Sequence, residues 1–198
     1  MIAQTLSAAS DRRETLSDDT LIKQVAEGNK LAMRALFARH QLRVYRFALR
    51  IVRDSALAED VVSEVFIDAW QHAGRYEGRS TVSTWLLGIT RNKALDARKL
   101  RPTDGWDQEV AEAVEDPAAN PEVEYQKRDT RAVMLKCLAQ LSPTHREIID
   151  LVYYHGKSID EVARITGAAQ ATVKTRMFYA RKHLAELLGA YGITTAAA

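Results

Sequence analysis

Carboxylates at Asp60, Glu64 and Asp68 recur every fourth residue, with Glu59 beside them. On a helix that spacing stacks the three on one face. Two kinds of chemistry use such a ladder: a divalent metal held for hydrolysis, or docking on a basic partner. The hydrolytic reading needs a second carboxylate cluster on a facing helix, and none is discernible in the sequence. Like charges at this spacing repel by about 0.2–0.5 kcal/mol per pair. A basic partner surface for Glu59, Asp60, Glu64 and Asp68 is therefore the expectation.

Two basic stretches have the types that touch nucleic acid. One carries Thr172, Lys174, Thr175, Arg176, Phe178, Tyr179, Arg181 and Lys182, with no acid before Glu186. Val173, Met177, Ala180 and Leu184 recur through it at helical spacing and would pack inward. That leaves Thr172, Lys174, Thr175, Phe178, Tyr179, Arg181 and Lys182 to reach base edges, thymine methyls and phosphates. The other stretch holds Arg91, Asn92, Lys93, Asp96, Arg98, Lys99 and Arg101. Its amides, ammonium groups and carboxylate hydrogen-bond bases, and the polar loop from Arg75 to Thr84 lies just upstream.

Other chemistry is not indicated. The five histidines are scattered without ligand spacing, and the single Cys137 sits beside Leu135 and Leu138 as a buried thiol would. A nucleophilic triad and a Gly-rich phosphate loop are both missing. No catalytic residue, metal, cofactor or small-molecule substrate is expected. Apolar runs long enough for export or for membrane insertion are not discernible, which points to the cytoplasm.

The elements that must position these groups read as helices throughout. Ser17 caps a first short helix that ends at Gly28, and Met33, Leu36, Phe37, His40, Val44, Phe47, Ala48 and Ile51 trace the apolar stripe of a long second one. A third starts near Ser55 and a fourth runs from about Thr81 to Arg101, with Gly74 and Gly78 in the loop between. Pattern resumes near Tyr125 and continues to Leu141. Ser142-Pro143 opens the next helix, and Ser158 to Glu161 forms a capping box. Gly167 then supplies the turn into a last helix from about Gln170 to Leu188. A short capped helix, a tight turn and a longer basic helix make the layout of a helix-turn-helix.

The fold class expected is all-α, as two small helical domains joined by an acidic linker. The boundaries are a tail over 1–16, a four-helix domain over 17–101, a linker over 102–126, the helix-turn-helix domain over 127–191 and a tail over 192–198. The linker holds eight acids and no Lys or Arg, so the chain's net charge of only +2 hides strong segregation.

Three segments together resemble a known family. They are Ala58 to Phe66 (AEDVVSEVF), Thr84 to Asn92 (TWLLGITRN), and Leu141-Ser142-Pro143 with Thr172 to Arg176 (TVKTR). In order and spacing they are similar to the signature segments of extracytoplasmic-function sigma factors. The resemblance implies that the helix with Asp60, Glu64 and Asp68 docks on core RNA polymerase and that the helix from Trp85 to Arg101 recognises and helps open the minus-10 promoter element. It also implies that the C-terminal helix-turn-helix reads the minus-35 element. An anti-sigma protein is an expected partner on the same ground. Departures are Gly88 where a larger residue is usual, Val82-Ser83 in place of a common aromatic and basic pair, and Ala169 and Ala171 at the start of the last helix. The competing reading is a helix-turn-helix repressor or activator that does not replace sigma; it leaves the second basic helix and the acidic ladder without a role.

Overall fold

The structure, a computed structural model, describes residues 16–101 and 132–193, all helix, turn and loop without a strand among them. The expected linker and nearly all of both tails lie outside the described residues.

Local signals start each element of the N-terminal half. Ser17 caps α1 (Asp18–Ala26), its hydroxyl accepting from the Thr20 N–H at 3.2 Å, with Asp18 and Asp19 in the first turn. Asn29 caps α2 (Lys30–Val52) through N–H groups of Leu31 and Ala32. Asp54 caps α3 (Ser55–His72), and Thr81 caps α4 (Val82–Leu100). Leu21, Ile22 and Val25 of α1, Leu36, Val44 and Phe47 of α2, Val61 and Val65 of α3, and Leu86 and Leu87 of α4 fill the interior. Phe37, expected in the packed stripe, is a correction: it sits at the rim, 39% exposed, its ring edge-on to Phe66 with centroids 4.8 Å apart. The stripe drifts around a helix of this length, because 3.6 residues per turn does not hold strict three-and-four spacing to one line.

In the C-terminal half, residues 132–140 are helical (α5). Ser142 caps α6 (Pro143–Ile149) with the proline in its first turn. The chain then widens into a π-helical turn, Asp150–Tyr154. The capping box is present at the start of α7 (Ile159–Thr166), Gly167 takes the left-handed conformation at φ 68°, and α8 (Gln170–Ala190) follows. Cys137 is fully buried.

The two halves close on each other, and their buried apolar residues form one continuous cluster. Polar bridges line the seam. Arg50 of α2 pairs with Asp150 of the π turn, and its guanidinium lies over the Tyr154 ring, 3.8 Å from the centroid. Arg91 of α4 grips both oxygens of Glu147 at 2.6 and 3.3 Å. The buried Lys157 donates to Ser83 and Thr84 at 3.2 and 3.0 Å, and Thr84 donates to Glu161 at 2.6 Å.

Candidate nucleic-acid interface

Helix α4 divides its polar residues between three surroundings. Arg91 and Arg98, with Leu95 between them, fall on one face and meet the C-terminal half. Lys93 points the other way, 3.9 Å from Glu64 and from Asp68 on α3. Asn92, Asp96 and Lys99 share the remaining face and are exposed, with Lys99 bound to Asp96 at 2.9 Å. Arg101 is exposed just past the helix end. Six of the seven residues read from the sequence are thus on α4, with Arg101 just past its end, and they do not share one surface.

Beside that helix, the loop after α3 is held by Tyr76, whose hydroxyl shares its one proton between Asp19, at 3.1 Å, and the Ser80 carbonyl, and whose ring lies 5.6 Å from that of Trp85. Burial, then the hydrogen bond and charge of Asp19, push the Tyr76 hydroxyl up to about 12. At Val82-Ser83 the departure from the family pattern has a structural use. Val82 is buried, and the Ser83 hydroxyl accepts from both Arg43 and Lys157.

The helix-turn-helix is built as its pattern requires. Val162 and Ile165 of α7 are buried with Val173, Met177 and Ala180 of α8. The Gln170 amide donates to Asp160 at 2.8 Å and fixes the turn, since Ala169 supplies no side-chain cap. Of the outward residues, Thr175 and Tyr179 are exposed, Thr172 is half-buried, and the Thr175 hydroxyl donates back to the Ala171 carbonyl. Lys174, Phe178, Arg181 and Lys182 lie on the adjoining flank, where they border an open groove floored by Met134, Leu138 and Ile149. Phe178 and Tyr179 are 64% and 54% exposed and pack edge-to-face at 5.4 Å.

On α3, Glu59, Asp60 and Glu64 are exposed and Asp68 is half-buried. Part of the relief for this ladder comes from within the chain, through Lys93, and the His72 ring lies 3.5 Å from Asp68. Sequence reasoning missed Ile67, 57% exposed on the same face, where its spacing from Glu64 would have found it. It also missed Arg50, Glu147, Asp150 and Lys157, which no local pattern marks, and it read Glu161 only as part of its capping box. Among the described residues no group of three or more His, Cys, Asp or Glu is placed to hold a metal, and no helix is long and apolar enough to cross a membrane.

Comparisons with known proteins identify the family. A family model for Sigma-70 region 2 matches residues 36–101, and one for Sigma-70 region 4 matches 131–184. The chain is 32% identical over 174 residues to the ECF RNA polymerase sigma factor SigL of Mycobacterium tuberculosis, covering 87% of this chain and 98% of that one. It is 33% identical over 169 residues to the RNA polymerase sigma factor CarQ of Myxococcus xanthus, covering 85% and 95%. Among solved structures it is similar to CnrH bound to the cytosolic domain of CnrY, with TM-score 0.65 and 26% identity over 87% of this chain and 97% of that one. It is also similar to the sigma factor RpoE of Bartonella quintana bound to the anti-sigma factor NepR, with TM-score 0.57 and 25% identity over 79% and 96%. With one matched region carrying the acidic α3 and basic α4, and the other the α7–α8 pair, the chain belongs to the extracytoplasmic-function group of sigma-70 RNA polymerase sigma factors.

Proposed function

We propose that this sigma factor docks core RNA polymerase through Glu59, Asp60, Glu64 and Asp68 and reads a minus-10 element with α4 and a minus-35 element with α8. The α4 set is Arg91, Asn92, Lys93, Asp96, Arg98, Lys99 and Arg101. On α8 it is Thr172, Lys174, Thr175, Phe178, Tyr179, Arg181 and Lys182. The observation that carries the reading is the segregation of exposed surfaces: acid on α3, amide and base on α4, base and aromatic on α8. Each suits a different partner, and a regulator acting on duplex DNA alone would need only the last. The role is regulatory, exercised in the cytoplasm, with no reaction catalysed by the chain.

Promoter reading requires the halves to part. Elements about 17 base pairs apart lie roughly 60 Å from each other at ~3.4 Å per pair, whereas Thr84 and Glu161 touch at 2.6 Å. The 25 residues of the 102–126 segment reach about 80 Å at most, at ~3.3 Å each, enough to span that distance. Two of the solved relatives were captured with CnrY and with NepR, and an anti-sigma protein is the regulatory partner proposed here.

The test is transcription by sigma-free core polymerase on fragmented genomic DNA, with and without this protein, followed by sequencing of product 5′ ends. Discrete starts that share two upstream elements are expected. Specific operator binding without polymerase, and no starts with it, would replace the proposal by the repressor or activator reading.

A further inference from the structure

Trp85, Ile89, Asn92, Asp96 and Lys99 follow one another at steps of three and four residues, so they lie along one face of α4, the face that carries its exposed polar residues. Trp85 stands half-buried at the head of that face. The loop that follows Arg75 enters the helix beside it, with Thr81 as the cap. Whatever holds this loop therefore sets the start of the surface proposed to read the minus-10 element.

The tip of the loop, residues 77–79, is exposed, and Gly78 turns it through the left-handed region at φ 69°. The ion pair of Arg79 with Glu77 lies in water and contributes little to its order. Order comes from Tyr76. Its hydroxyl reaches from the first residue of the loop to the Ser80 carbonyl near its end, which closes the tip into a ring, and the same proton is shared with Asp19 in the first turn of α1 at 3.1 Å. Next to Asp19, Asp18 meets Arg39 at 2.8 Å and His40 at 2.7 Å, both on α2, so the Asp19 carboxylate is carried by a helix that is itself anchored. The Tyr76 ring lies 5.6 Å from that of Trp85. One side chain thus joins α1, both ends of the loop and the head of the α4 face. With its hydroxyl pushed up to about 12, it remains a donor at neutral pH.

We propose that Tyr76, held by Asp19, is a positioning residue for strand opening: it fixes the loop tip and Trp85 so that a base leaving the minus-10 duplex is received at the head of the α4 face. The inference deepens the minus-10 reading proposed above and rests on it. An unpaired base gains by stacking on an aromatic ring. That gain is kept only if ring and loop are already in place, because the entropy of ordering them on arrival is subtracted from the binding. Helix α1 therefore acts on the promoter through the loop, although none of its residues belongs to the reading set.

The test uses holoenzyme assembled from core polymerase and the full chain. Its probes are the single-stranded minus-10 region of a promoter defined by start-site mapping, a scrambled strand as reference, and duplex minus-35 DNA. Y76F keeps the ring against Trp85 and loses the hydroxyl, whereas D19A loses the acceptor. Each should weaken single-strand binding about fivefold to tenfold, the scale of one hydrogen bond, with minus-35 and core binding unchanged. The double variant should lose no more than Y76F alone, since both changes remove the same bond. Loss of an acid by itself tightens DNA binding, so weakening in D19A reports position rather than charge. E27Q, at an exposed acid just past the other end of α1, should not weaken binding. Equal single-strand binding by Y76F and the parent overturns the proposal, as do additive losses in the double variant. A fall in minus-35 or core binding in step with the single-strand loss overturns it too, because that pattern marks a general folding defect. If the parent itself fails to distinguish the minus-10 strand from the scrambled one, the minus-10 reading falls along with this inference; failure of the variants alone leaves that reading standing.

Discussion

At the residue scale, the seam depends on charges that have left water. Asp150 is 3% exposed and faces Arg50 on one side and His155, at 3.3 Å, on the other. Removing the carboxylate strands a guanidinium whose desolvation is no longer offset. D150A should cost about 3–5 kcal/mol, read as a shift in urea midpoint. Glu161 shows the matching pH effect. Its burial favours the neutral form, but hydrogen bonds from Thr84 and Ser158 and the charge of Lys157 outweigh that and hold it at about 2, against an ordinary 4.5. A depressed carboxylate stabilises the fold fully above its unfolded pKa and loses that contribution as pH falls toward the folded one. The melting temperature should therefore drop as pH falls from about 4.5 toward 2, and E161Q should show a smaller drop over the same interval, starting from a lower value at neutral pH.

At the element scale, α4 carries a weakness that can be repaired. Gly88 sits mid-helix at ordinary helical angles, and a Cβ added there meets nothing within 4 Å. G88A should raise stability by up to about 1 kcal/mol, or roughly 2–4 °C in melting temperature for a chain of this size. Function should separate by helix in the same way. Y179A on α8 should weaken minus-35 recognition while leaving core binding intact. D60K with E64K on α3 should do the reverse, because it inverts the charge of the docking face without touching α8. Promoter-fragment binding by the assembled holoenzyme and a core-binding titration, run on both variants, separate the two effects.

Across the whole molecule, the closed arrangement sets reading residues against each other. Arg91, needed for the minus-10 element under the proposed function, is occupied by Glu147, and the α7 end of the helix-turn-helix is bonded to the start of α4. E147K turns that attraction into repulsion of about the same reach. It should populate an open form, seen as a larger radius of gyration in scattering, and should raise affinity for core polymerase. An unchanged radius would mean that the apolar seam alone holds the halves together.

What was legible in the sequence follows from what is local. Caps at Ser17, Ser142 and Ser158, the left-handed Gly167, and apolar spacing at Val173, Met177 and Ala180 each act within a turn or two of the chain, so they fixed the helices and the helix-turn-helix in advance. The acidic and basic faces were equally readable, since helical period places side chains without knowledge of neighbours. The π turn at Asp150–Tyr154 and the pairing of Arg50 with Asp150, of Arg91 with Glu147 and of Thr84 with Glu161 were not. Those partners stand between 56 and 100 residues apart. No periodicity couples positions so distant, so only the packing of one half on the other decided which charges would meet and which would be covered.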